Sequence, residues 1–73
     1  MKNIKFVICI ENFDYPVSLE RRKIYEALPD SDATETDQIR VIDESGKDYL
    51  YPASYFVDAK LSKEIQAAVI KAA

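Results

Sequence analysis

Tyr49-Leu50-Tyr51-Pro52-Ala53-Ser54-Tyr55-Phe56-Val57 holds three of the chain's five tyrosines, one of its three prolines and one of its three phenylalanines. No other stretch is so dense in large side chains. Proline has no N–H to give to a ladder, so Pro52 rules out one uninterrupted central strand. The reading is strand, tight turn, strand, with aromatic rings on both sides of the turn. Such an arrangement closes a small β domain, and it can also build a binding surface.

Just upstream, Ile39-Arg40-Val41-Ile42-Asp43 has the β-branched content of a strand. Glu44-Ser45-Gly46-Lys47 follows and contains the chain's one glycine, the residue that tolerates positive φ, which predicts a hairpin turn. Residues 48–51 return as the partner strand. After the turn at Pro52-Ala53-Ser54, residues 55–60 form a last strand.

At the start of the chain, Ile4, Phe6, Ile8 and Ile10 alternate with Lys5, Val7 and Cys9, the period-two signature of a strand over residues 2–10. The second set turns apolar at Val7 and Cys9, which implies cover on both faces at the strand's centre. Lysines before an apolar run superficially suggest a signal peptide. The run from Phe6 to Ile10 is too short for one, and no small-residue cleavage site follows. Glu11-Asn12-Phe13-Asp14-Tyr15-Pro16 carries the asparagine, aspartate and proline of a turn. Residues 17–22 make a short connection with room for a single helical turn.

Lys23-Ile24-Tyr25-Glu26-Ala27-Leu28 reads as a strand. The competing reading is a helix over residues 18–28 capped by Ser18, but Pro29 stops the segment directly and its neighbours are strands. Residues 29–38 bring four carboxylates and no cation, the composition of a surface loop with at most a short turn of helix. Asp30, Asp32 and Thr34 faintly suggest a calcium loop. That pattern fails for want of glycine at its sixth position and glutamate at its twelfth. The last segment, residues 61–73, changes character. Ser62 suits an N-cap, Glu64 the first turn and Lys71 the last, with Ile65, Ala68, Val69 and Ala72 on one face. A helix of that length is stable in water only if it docks.

Seventy-three residues with 48% hydrophobic and 32% charged side chains make one globular unit near the lower size limit for folding without staples. A barrel over residues 1–60 and a helical tail over 61–73 divide it. Cys9 is alone, so no internal disulfide forms, and no Cys/His set exists for structural zinc. Nothing approaches the ~20 apolar residues of a membrane span. A soluble, reducing, cytoplasmic setting is expected. The net charge of −3 argues against nucleic acid as the partner, because phosphate binding needs a positive surface. Arg21-Arg22-Lys23, the one basic cluster, reads as a solvated face, and so does the acidic 30–37 stretch.

Five short strands, a late hairpin and a proline-broken aromatic stretch before the last strand resemble a Src-homology-3-type domain. Asn12-Phe13-Asp14-Tyr15 is similar to that family's alanine-leucine-tyrosine-aspartate-tyrosine opening. Tyr51-Pro52-Ala53-Ser54-Tyr55 is similar to its proline-x-asparagine-tyrosine signature, with serine for asparagine. The resemblance covers residues 12–60 and implies an all-β fold, a five- to six-stranded barrel, here with a short C-terminal helix. It departs from the family in having no tryptophan, in a shortened first loop, and in the extra strand before residue 12. The chain is also similar to small uncharacterised bacterial proteins carrying the run Ile39-Arg40-Val41-Ile42-Asp43-Glu44-Ser45-Gly46 before the tyrosine-proline stretch. That likeness implies no activity.

The resemblance implies an aromatic groove for extended proline-rich peptides, lined by Phe13, Tyr15, Tyr51, Pro52 and Tyr55. Such ligands are already extended, so shallow aromatic slots hold them at low entropy cost. The competing reading is that these rings fill a barrel too small for a deep core. Catalysis is not expected. There is no histidine, one glycine cannot make a phosphate loop, Cys9 sits in an apolar strand, and Asp43 and Glu44 stand beside a turn, poor ground for a dry site. No cofactor or metal is expected. The expected role is a non-catalytic protein-interaction module or small subunit of an assembly, with a nucleic-acid-associated barrel as the alternative. Self-association is expected through the first strand, read as a margin of the barrel, or through the C-terminal helix.

Overall fold

The sheet is organised around its first strand, β1 (Lys5–Cys9), which pairs with a neighbour on each side. A computed structural model describes residues 5–72. The other strands are β2 (Ile24–Leu28), β3 (Gln38–Ile42), β4 (Asp48–Pro52) and β5 (Phe56–Asp58). Two helices, α1 (Ser31–Glu35) and α2 (Lys63–Ala72), complete the chain, with a 3-10 turn at Ala53–Tyr55 between β4 and β5. All pairings are antiparallel, in the order β4-β3-β2-β1-β5. The first four strands form a meander, and the 3-10 turn then carries the chain back to the free side of β1. The five strands curl into a half-barrel.

Alternation along each strand builds the interior. Val7 lies opposite Tyr25, Ala27 opposite Val41, Cys9 opposite Phe56 and Ile39 opposite Tyr51. Val7, Cys9, Tyr25, Ala27, Val41, Tyr51 and Phe56 form one buried cluster with Leu19. The alternation at the N-terminus therefore faces the other way from its simplest reading. Val7 and Cys9 look into the barrel, while Ile10 is half exposed and Phe6 is buried outside that cluster. Lys5 shares the inner face because it stands at the strand's end, where its ammonium reaches out to Asp58 at 3.8 Å. Both faces of β1 are apolar at the centre, as expected from the sequence. Residues 2–4 of the expected strand lie outside the described residues.

The backbone of β1 is engaged on both sides, so over residues Lys5–Cys9 the first strand is interior and not the margin it was expected to be. The sheet's edges are β4 and β5. Pro52 closes β4, where a missing N–H is tolerated because an edge strand has no second neighbour. The final strand stops at Asp58, short of the expected residue 60. Asp58 Oδ1 accepts from the Lys60 amide at 2.8 Å, and Lys60 adopts φ 51. That side-chain turn competes with the ladder and ends it.

The connections follow local chemistry. Residues 12–19 contain one helical turn, closed by Leu19 N–H to the Tyr15 carbonyl at 3.0 Å. Asn12 Nδ2 returns to the Leu19 carbonyl at 3.1 Å. The turn drives Leu19 into the core with no exposed surface. Helix α1 supplies the short turn within the acidic loop, capped by Asp30 Oδ1 accepting from the Ala33 amide at 3.0 Å. At the β3–β4 hairpin Gly46 has φ 82, and its amide bonds the Asp43 carbonyl at 3.0 Å. Ser62 Oγ accepts from the Ile65 amide at 3.2 Å at the start of α2. That helix buries none of its residues, and Ile65 and Ile70 stay about half exposed. Among the described residues no helix is long and apolar enough to cross a membrane.

Candidate functional site

The five aromatic-groove residues divide by depth. Tyr51, on the inward face of β4, is buried, and its ring meets Tyr15 edge-on with centroids 4.9 Å apart. Tyr15 comes from the 12–19 connection and also meets Tyr55, from the 3-10 turn, at 6.1 Å. Phe13 stands outermost with 69% of its surface exposed. Its carbonyl accepts from the Tyr55 hydroxyl at 3.1 Å, and its amide donates to Glu11 Oε2 at 3.1 Å. Pro52 is half-buried, opposite Gln38 at the end of β4. The fold thus gathers Tyr15, Tyr51 and Tyr55 into one ring cluster and ties Phe13 to it through a backbone bond. Residues 13 and 55 are far apart in sequence, so this assembly depends on the return of the chain after β4.

Beneath the cluster lies a buried carboxylate. Tyr51 donates its hydroxyl to Asp43 Oδ2 at 2.5 Å, while Oδ1 accepts from the Ser45 amide at 2.8 Å and the Ser45 hydroxyl at 2.5 Å. Burial works to raise the Asp43 carboxyl, but the donors of Ser45 and Tyr51 outweigh it and hold the group below the usual carboxylate range. The Tyr51 phenol moves the opposite way, pushed up to about 12 by burial and then by the facing carboxylate. Tyr55 is also raised, by burial first and then by the charges of Asp14 and Glu11. Both Tyr51 and Tyr55 therefore act as neutral hydrogen-bond donors at neutral pH.

Asp43 and Glu44 do not face a common point. Glu44 accepts from Tyr25 at 2.5 Å and from Lys23 Nζ at 2.6 Å, and its amide bonds the Ser18 carbonyl at 3.1 Å. Lys23 also reaches Glu20 at 3.7 Å, so one member of the basic 21–23 cluster is committed to carboxylates. Arg40 bridges Asp30 and Asp48 at 2.8 and 2.9 Å. Next to it, a half-open cavity of about 430 Å³ lies between α1 and the sheet, lined by Ala27, Pro29 and Ile39 among others. The Cys9 thiol is fully buried and donates to the Glu11 carbonyl at 3.1 Å, with burial pushing its pKa up. Among the described residues no group of three or more His, Cys, Asp or Glu side chains is placed to hold a metal ion.

Sequence reasoning treated Asp43 as a turn-side carboxylate and missed its burial and its role under Tyr51. The signal was present in Asp43-Glu44-Ser45-Gly46, where an aspartate followed two residues later by serine favours a side-chain-closed turn. The inward plunge of Leu19 carried no comparable signal.

No family model, no curated protein and no solved structure matches the chain.

Proposed function

We propose that the chain is a small Src-homology-3-type barrel that acts without catalysis, as a protein-interaction module or small subunit of an assembly. Its binding surface is the Tyr15–Tyr55 ring pair together with Phe13, tied to it through a backbone bond, with Tyr51 and Pro52 as its support. The five antiparallel strands curled into a half-barrel, with a short C-terminal helix, are compatible with this assignment. The observation that carries the functional reading is Phe13. A large apolar side chain is left 69% exposed on a segment that Tyr55 and Glu11 hold in place by hydrogen bonds. The bond from the Tyr55 hydroxyl sets Phe13 at the border of the Tyr15–Tyr55 ring pair, and an apolar group held there in the open is available to a partner.

A protein partner is favoured over nucleic acid by the net charge of −3 and by the engagement of Lys23 with Glu44 and Glu20. The test is affinity capture from the native lysate with the full chain, repeated after nuclease and in high salt. A protein that persists through both supports the reading. Loss of all capture after nuclease would move the assignment to nucleic acid.

A further inference from the structure

We infer that Asp43 is a positioning residue for the aromatic surface, acting through Tyr51 to fix the ring of Tyr15. The inference rests on the reading of Phe13, Tyr15 and Tyr55 as the binding face. Its geometry is a chain of three contacts running from the hairpin turn to the surface.

The chain begins in the turn. Gly46 closes it by donating its N–H to the Asp43 carbonyl, and Ser45 fixes Asp43 Oδ1 with both its amide N–H and its hydroxyl. With Oδ1 held twice, rotation of the carboxylate is blocked and Oδ2 has one direction in which to point. That direction is taken by the Tyr51 hydroxyl at 2.5 Å. Asp43 is only 6% exposed, so this is a charge-assisted bond shielded from water. The bond sets the tilt of the Tyr51 ring within the core. Tyr15 then packs edge-on against that ring at 4.9 Å with planes at 90°. An edge-to-face pair is sensitive to tilt, because its attraction comes from a ring edge meeting a ring face. The backbone that carries Tyr15 is tied to the same turn, through Glu44 N–H and the Ser18 carbonyl at 3.1 Å. Turn and surface are thus joined twice, once through side chains and once through the main chain.

Among the described residues, Tyr15 is the only ring in contact with both Tyr51 and Tyr55. Tyr25 stands one step further from the brace, since its ring reaches Tyr51 only through Phe56 and its hydroxyl goes to Glu44 rather than Asp43. General loosening of the core moves Tyr15 and Tyr25 alike, whereas loss of the brace moves Tyr15 more than Tyr25.

The experiment is NMR of the full chain with ring-labelled tyrosine, comparing wild type with Tyr51→Phe and Asp43→Asn. The first removes only the hydroxyl. The second removes the charge and puts an amide nitrogen either against the Ser45 N–H donor or against Tyr51, whose hydroxyl must then turn from donor to acceptor. Each sample is then titrated with a synthetic proline-rich peptide. Shifted or broadened Tyr15 resonances with clearly smaller changes at Tyr25 are expected in both variants, with peptide affinity lowered about five- to tenfold, the size of one lost hydrogen bond. Unchanged Tyr15 resonances in both variants, or equal movement of Tyr25, would overturn the brace. If wild type shows no peptide binding while Tyr15 responds more than Tyr25, the brace is upheld and the surface reading fails on its own.

Discussion

The hydroxyl of Tyr25 donates to Glu44 Oε2 at 2.5 Å, joining β2 to the β3–β4 turn across nineteen residues of sequence. The same hydroxyl accepts from the Glu20 amide at 2.8 Å, so one phenol satisfies a backbone donor and anchors a carboxylate. Tyr25→Phe leaves the Glu20 amide without this acceptor, while Glu44 keeps Lys23. A loss of about 2–3 kcal/mol is expected, the net worth of one neutral hydrogen bond and one to a charged group. Urea unfolding checks it through a lower midpoint with an unchanged slope.

The pH dependence of stability follows from the directions of the shifted groups. Arg40 lowers Asp30, Lys23 and then Tyr25 lower Glu44, and Asp43 is lowered against the effect of burial by Ser45 and Tyr51. Each carboxylate contributes stability above its unfolded pKa, about 4, and that contribution disappears as pH falls through the folded value. Cys9, Tyr25 and Tyr51 are raised, so the folded state holds protons that the unfolded chain releases. Their contributions are complete below the unfolded values and are lost as pH rises through the folded ones. With no histidine in the chain, melting temperature should be level between about pH 5 and 8 and fall on both sides. A midpoint that climbs steadily across that interval contradicts the assignment.

Arg22 adopts φ 71, a left-handed conformation that glycine reaches without the Cβ penalty. Arg22→Gly is expected to stabilise the fold by about 0.5–1 kcal/mol, the Cβ strain relieved less the entropy added to the unfolded chain. Gly46→Ala tests the reverse. No atom lies within 4 Å of the added Cβ, so its cost is the backbone's alone, about 1–2 kcal/mol. Thermal melts of the two variants should move in opposite directions.

Cys9 offers a probe of opening. Its thiol has no exposed surface and is held protonated by burial. A disulfide reagent should modify it only as fast as the barrel opens, with the rate rising in step with urea. Immediate modification in native buffer would show that the Cys9 side chain is not enclosed by the core cluster.

Much of this fold was legible because a few residues admit few backbone conformations. Gly46 marked the hairpin through its freedom at positive φ, and Pro52 marked the break before the last strand. Ser62 marked the start of α2 through its cap. The inward face of β1 was less legible, since both sets of alternating residues are apolar and Lys5 points to the wrong face until its place at the strand's end is known. Leu19 was hidden for a different reason: its burial comes from contacts with strands distant in sequence, which no local pattern encodes. At the site, the grouping of Phe13, Tyr15 and Tyr55 followed from a family likeness. The buried Asp43 did not, because burial of a carboxylate depends on donors that only the folded turn supplies.

The aromatic surface is tested most directly by one paired measurement on Phe13→Ala: partner capture and melting temperature on the same preparation. Phe13 is mostly exposed and lies outside the core cluster, so its removal should leave the melting temperature within about 2 °C of wild type, the size of a neutral surface substitution. Capture of the protein partner should fall by at least about tenfold, the scale of a lost interface anchor. Undiminished capture, or a loss of capture matched by a large fall in melting temperature, would contradict a binding role for this surface.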